Sequence, residues 1–249
     1  MRLDNYPMKQ NGMYILKKSD FDDIAEMVLR EYMPSVLSDP KAVDIEYLAE
    51  ECLYLDIKYD NIVPEGKILG LVAFSDTEFK TIGIDDNERV IELDEGTILI
   101  DYSLIGTENR PRKRFTEAHE ASHWICHRSF HSPTNRQYEF RVNGNFIACR
   151  TDNIEQYKKK RGYSFSDEDW EEWQADSLAA SLLMPKVMFV EACRDEFHHE
   201  RIWKGYLSPG TDDFVAKKII AKIARLFDVS YRAAQIRMIN LGLIRFSNY

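Results

Sequence analysis

Two histidines one helical turn apart, with a glutamate beside the first, form the sharpest chemical pattern in the sequence: His119-Glu120-Ala121-Ser122-His123. On an α-helix, residues four apart lie on one face a turn apart, so both imidazoles can reach one ion. Glu120 lies close to the same face and is placed to take a proton from water polarised by that ion rather than to ligate it. Neutral imidazoles suit Zn2+, and a catalytic zinc centre needs three protein ligands and one open position.

The third ligand must come from elsewhere. His127 continues the register but lies roughly 12 Å along the axis from His119 at 1.5 Å per residue. It cannot join the pair on one ion and reads as a polar residue near the helix end. A metzincin would need glycine at 126 and histidine at 129; the chain has Cys126 and Ser129, which excludes that class. Downstream, Glu171, Glu172 and Asp176 enter a segment rich in alanine and leucine, where acids are costly to bury unless paired or on a metal. Glu172 and Asp176 are four apart, so Glu172 can ligate while Asp176 accepts a hydrogen bond from a ligand imidazole. Glu171 is the rival ligand, and an acidic helix N-terminus satisfied by the helix dipole is the plain alternative.

Several elements must position these groups. The spacing predicts helices over Asp20 to Met33, with Ser19 as cap, and over Val43 to Tyr54. Strand-like runs follow at Asp56 to Tyr59, Leu69 to Ser75, Lys80 to Ile84 and Thr97 to Asp101, punctuated by glycines. The histidine helix runs from Pro111 to about His127. Residues 128 to 166 form a long polar stretch with one strand-like piece around Phe140 to Cys149. Ser166 opens the acidic helix, with Asp169 as capping-box partner, and Pro185 ends it. A helix over Lys186 to His199 and two more around Asp228-Val229-Ser230 complete the chain. The order suggests an α+β fold with a small, mainly antiparallel sheet and a helical C-terminal half, in one integrated body.

Composition narrows the function classes. The 249 residues are 44% hydrophobic and 30% charged, which is globular composition, and no apolar run approaches the roughly 20 residues needed to cross a bilayer. The N-terminus lacks the apolar core of a secretory signal. Four cysteines without a C-x-x-C pair argue against a disulfide scaffold or a cysteine zinc cage, so a reducing cytoplasm is expected. The net charge of −9 makes the whole chain a poor polyanion binder. From Phe214 onward, however, seven basic residues face one acid, Asp228. That segment could meet DNA phosphates, but a unit whose bases pair with the acidic remainder is preferred. Lys158 to Arg161 reads as a solvated basic loop. His131, His198 and His199 are expected on the surface, Cys126 as a small buried side chain, and Trp124, Trp170 and Trp173 as core.

At two places the residues resemble a known family. Arg114-Phe-Thr-Glu-Ala-His119-Glu120-Ala-Ser122-His123 resembles the RFT-x-A-H-E-x-x-H core of the ImmA/IrrE metallopeptidases. The run from Glu172 through Ala175-Asp176 and Ala179-Ala180 to Leu182-Leu183-Met184-Pro185 resembles that family's second block. Gly70 to Phe74 is similar to its early strand, and Ile223 to Leu243 to its closing helices. Ser122 stands where the family usually has glycine, and the stretch before Glu172 is longer.

The resemblance implies a gluzincin-like zincin fold with zinc on His119, His123 and Glu172, Glu120 as acid/base and Asp176 behind the ligands. It implies a domain plan of an N-terminal extension over 1–18, a peptidase domain over 19–210 and a helix-turn-helix-like pair over 211–249. It further implies cleavage of a protein substrate, typically a helix-turn-helix repressor of a mobile element or stress response. A DNA-binding regulator with a metal- or stress-sensing zincin-like half and little turnover is the alternative expectation.

Overall fold

In this computed structural model the described residues are 3, 5–62, 68–82, 87–131, 146–150 and 166–246. The architecture is mixed α/β, with seven helices and two small sheets among the described residues. Contacts divide the chain into two compact units, Met1–Phe21 with Ile45–Ala179, and Asp22–Asp44 with Ala180–Tyr249.

In the first unit, short apolar runs become β1 (Asp56–Asp60), β2 (Ile68–Ala73), β3 (Thr77–Thr81), β4 (Arg89–Leu93), β5 (Thr97–Asp101) and β6 (Phe146–Arg150). Four of them form a sheet in the order β1-β5-β2-β6, and β3 pairs with β4 in a separate hairpin. The β2–β5 and β2–β6 pairs are antiparallel, but β1 and β5 run parallel, Asp56 opposite Thr97. The sheet is therefore mixed rather than simply antiparallel. The 36 residues between β1 and β5, which carry β2 and the hairpin, supply the long return that a parallel pair requires. β5 is buried at every residue, as a central strand covered on both faces must be. Ile98 and Ile100 pack with Val72, Phe74, Ala121 and Trp124, while Leu99 faces the other way onto Leu71, Phe79 and Leu93.

Three expectations shift. The strand expected at Lys80 to Ile84 lies at Thr77–Thr81, because pairing with β4 sets its register; β4 itself was not predicted. The helix expected over 43–54 is one α-turn, α2 (Ile45–Tyr47), that widens at once into a π-turn over Leu48–Cys52. Tyr54, at φ 58°, ends it. The strand-like piece at Phe140 to Cys149 is described only from Phe146, and the Lys158 to Arg161 run lies outside the described residues.

Helix α3 (Arg110–His127) has a proline in its first turn and packs over β2 and β5. From Thr116 to His127 every residue is buried, so its polar side chains all need partners. The histidines among them find theirs on α4 (Asp167–Leu183), which starts where the sequence predicts. Ser166 Oγ accepts from the Asp169 backbone N–H at 3.1 Å, and Asp169 Oδ2 accepts from the Ser166 N–H at 3.1 Å. The helix stops at Leu183, two residues before Pro185.

The second unit holds most of α1 (Asp20–Tyr32), then α5 (Lys186–His199), α6 (Asp213–Leu226) and α7 (Tyr231–Asn240). Ser230 caps α7 by accepting from the Ala233 N–H, as its sequence suggests. The buried Arg237 donates to Asp22 Oδ1 at 2.6 Å and to the Met184 carbonyl at 2.9 Å. Lys218 and Lys222 pair with Glu200 and Glu196, so part of the basic C-terminal segment is engaged inside its own unit. No helix among the described residues is long and apolar enough to cross a membrane.

Candidate metal centre

Four histidines stand at intervals of four along α3 and just past its end: His119, His123, His127 and His131. Each meets a polar side chain of α4. His119 Nδ1 donates to Asp176 Oδ1 at 2.9 Å, a direction fixed by a carboxylate that only accepts. His119 Nε2 and His123 Nε2 lie 3.5 and 3.4 Å from the two oxygens of Glu172. His127 Nε2 lies 3.2 Å from Gln174 Oε1. His131 pairs with Glu171.

The first three groups converge. His119, His123 and Glu172 are all buried, and one ligand atom from each falls within 4.8 Å of the others, so this group could hold a metal ion. The two Nε2 atoms are 2.9 Å apart. A tetrahedral cation with ligand distances of about 2.0–2.1 Å separates its ligand atoms by roughly 3.3 Å. The observed separations, 2.9 to 3.5 Å, bracket that edge length, and two imidazoles with one carboxylate form a donor set suited to Zn2+.

Protonation favours the same use. Burial, helped by neighbouring His119, pushes His123 down to about 4, so it is neutral near pH 7 and can offer a lone pair. Burial alone would raise Glu172, but the adjacent His119 and His123 rings outweigh it and hold the carboxyl below its usual range. The arrangement is therefore two neutral imidazoles and one carboxylate.

Glu120 is fully buried on α3 and its carboxylate sits over Gly70 of β2. A Cβ at Gly70 would lie 2.6 Å from Thr116 Cγ2 and 3.0 Å from Glu120 Oε1, so only glycine lets strand and helix approach this closely. The register shift between Ile68 and Gly70 resets the alternation of β2 and turns Gly70 towards α3.

A second titratable cluster lies along the first half of α3. Glu117, fully buried, pairs with Lys113 at 2.8 Å, and its Oε1 is 3.3 Å from the Tyr59 hydroxyl. Tyr59 and Lys113 also reach Glu46. Burial lifts Glu117 to about 7 against the pull of Lys113, and lifts Tyr59 to about 12.

The residues singled out from sequence are thus brought together: His119, His123 and Glu172 as a group, and Asp176 behind His119. Glu171 turns to His131 instead. One expectation is corrected. His131 is not a surface residue; it stacks on Phe74 with ring centroids 4.5 Å apart while bonding Glu171. His127 ends α3 and stands outside the ligand group, as expected, and it is fully buried. Sequence reasoning also missed Gln174 and Tyr14, whose backbone carbonyl accepts from Gln174 Nε2 at 2.9 Å. The continued four-residue spacing through His127 and His131 was the available signal. His198 and His199 are exposed as expected, and Cys126 is buried; Trp124 is core, whereas Trp170 and Trp173 are only partly buried. No protein-family model matches the sequence, and no curated protein matches it.

Proposed function

We propose that this chain is a zinc-dependent endopeptidase of the ImmA/IrrE type, with a zincin-like catalytic domain, acting in the cytoplasm on a regulatory protein such as a helix-turn-helix repressor. The observation that carries this reading is the convergence of both H-E-x-x-H imidazoles and the Glu172 carboxylate, with Glu120 buried on the same helix. His119, His123 and Glu172 would hold the ion. When bound, it supplies Lewis acidity, polarising a scissile carbonyl and making water a better nucleophile.

The protein's own groups do the rest. Asp176 orients the His119 ring and keeps its proton on Nδ1. Glu120 accepts the proton of the attacking water and delivers it to the departing amine nitrogen, so hydroxyl adds to the carbonyl carbon as the C–N bond breaks. Burial of that carboxylate keeps bulk water from competing for the proton.

The test is incubation of zinc-loaded protein with candidate helix-turn-helix repressors. Discrete fragments that vanish with a chelator are expected. Glu120→Gln should keep stoichiometric zinc and lose cleavage. Cleavage by Glu120→Gln at the wild-type rate, or absence of bound zinc in the wild type, would overturn the reading.

A further inference from the structure

We propose that His127 is a positioning residue: held by Gln174 and the Tyr14 backbone, it fixes His123 in the tautomer whose Nε2 carries no proton. This deepens the metal-centre reading and rests on it.

The outermost group of the relay, a backbone carbonyl, has a fixed polarity. A backbone carbonyl only accepts, so the Gln174 nitrogen, not its oxygen, faces Tyr14 at 2.9 Å. The other end of the amide is therefore Oε1, also only an acceptor, and it faces His127 Nε2 at 3.2 Å. His127 must carry its proton on Nε2. With one proton per ring, its Nδ1 is an acceptor, and it lies 3.0 Å from His123 Nδ1. His123 must then carry its proton on Nδ1, which leaves the Nε2 lone pair towards Glu172 and His119. The chain of donors is Gln174 to Tyr14, His127 to Gln174, and His123 to His127.

The opposite tautomer would undo the centre. With a proton on Nε2, His123 would donate across the 2.9 Å gap to His119 Nε2, whose own proton sits on the Asp176 side. The two ligand atoms would satisfy each other instead of a cation. Asp176 performs for His119 what the His127–Gln174–Tyr14 relay performs for His123. The relay also gives a task to the N-terminal segment, since Tyr14 stands far from α4 in sequence.

The experiment uses the full chain, metal-free and labelled with 15N-histidine. Two-bond proton–nitrogen correlation spectra should show His123 protonated on Nδ1 and His127 on Nε2. Zinc affinity is then read by competition with a chromophoric chelator. His127→Phe, which keeps a ring but removes the acceptor, should lose about 10–100-fold in affinity and populate the other His123 tautomer. His127→Asn, whose Oδ1 can accept from His123, should recover most of that loss. Should His127→Phe fail to fold, Gln174→Met weakens the relay from its far end and should move both readouts in the same direction. A wild-type His123 protonated on Nε2 overturns the proposal, as does wild-type affinity in both His127→Phe and Gln174→Met. If the wild type binds no zinc, the metal reading falls, and the tautomers of the metal-free protein still decide the relay.

Discussion

Replacing Gly70 by alanine tests the packing that sets Glu120 in place. The added methyl would lie 2.6 Å from Thr116 Cγ2, well inside the 3.4 Å at which ordinary contact begins. Thr116 cannot yield easily: it is buried, β-branched in a helix, and held by its hydroxyl to the Arg112 carbonyl at 3.1 Å. Either α3 lifts from β2 or the threonine leaves its rotamer, and overpacking of this kind costs about 1–3 kcal/mol. The second contact, 3.0 Å to Glu120 Oε1, involves the end of a flexible side chain and is cheaper to relieve, but relief displaces the carboxylate. Urea unfolding of the metal-free protein measures the first effect and repressor cleavage the second. Adding Thr116→Ala removes the offending methyl, so the double variant should regain stability beyond additivity, with a coupling of about 1–2 kcal/mol. It should still cleave slowly, since a 1 Å misplacement of a catalytic group costs roughly 100-fold. A loss below about 0.5 kcal/mol in Gly70→Ala, or no recovery on adding Thr116→Ala, would refute the reasoning.

Two further outcomes follow from buried charge. Arg237→Met in the second unit leaves Asp22 with Ser181 Oγ at 3.1 Å and the more distant Lys186, removes the donor to the Met184 carbonyl, and should cost about 2–3 kcal/mol by chemical unfolding, with Arg237→Lys recovering only part because one ammonium cannot reproduce the forked contact. Glu117, with an ordinary value of 4.5 raised by burial to about 7, binds a proton in the folded state that the unfolded chain releases in between. Its contribution therefore falls as pH rises through that window, and wild type should lose up to about 3 kcal/mol relative to Glu117→Gln between pH 4 and 8. The buried histidines His123, His127 and His131, all pushed down by burial, give a slope of opposite sign in both proteins and cancel from the difference. Parallel pH profiles for the two proteins would show that Glu117 is not the group responsible.

What could be read in the sequence was what local rules govern. The four-residue histidine spacing, the Ser166–Asp169 box, the stop at Pro185 and the Ser230 cap each depend on atoms within one helical turn, and each lies where expected. What could not be read depends on distant partners. β4 carries the β-branched Val90 and Ile91, but of its five residues only Leu93 is buried, so pairing with β3 rather than a buried face defines it. The parallel β1–β5 pair depends on which edge the returning chain meets. His127 and His131 look like ordinary end-of-helix residues until Gln174 and Glu171, 47 and 40 positions away, arrive beside them.

The seam between α3 and α4 also has an energetic meaning. It places four imidazoles opposite Glu171, Glu172, Gln174 and Asp176, on a helix buried all round over its last three turns. Desolvating such groups costs several kcal/mol for each ion, and hydrogen bonds at good geometry do little more than return it. Leucine and alanine at the same positions would carry no such penalty, and they are what α4 buries further along, at Leu178, Ala179, Leu182 and Leu183. One helix thus carries both solutions: polar where it faces the histidines, apolar beyond them. On the proposed reading, that cost is offset where His119, His123 and Glu172 converge on one cation.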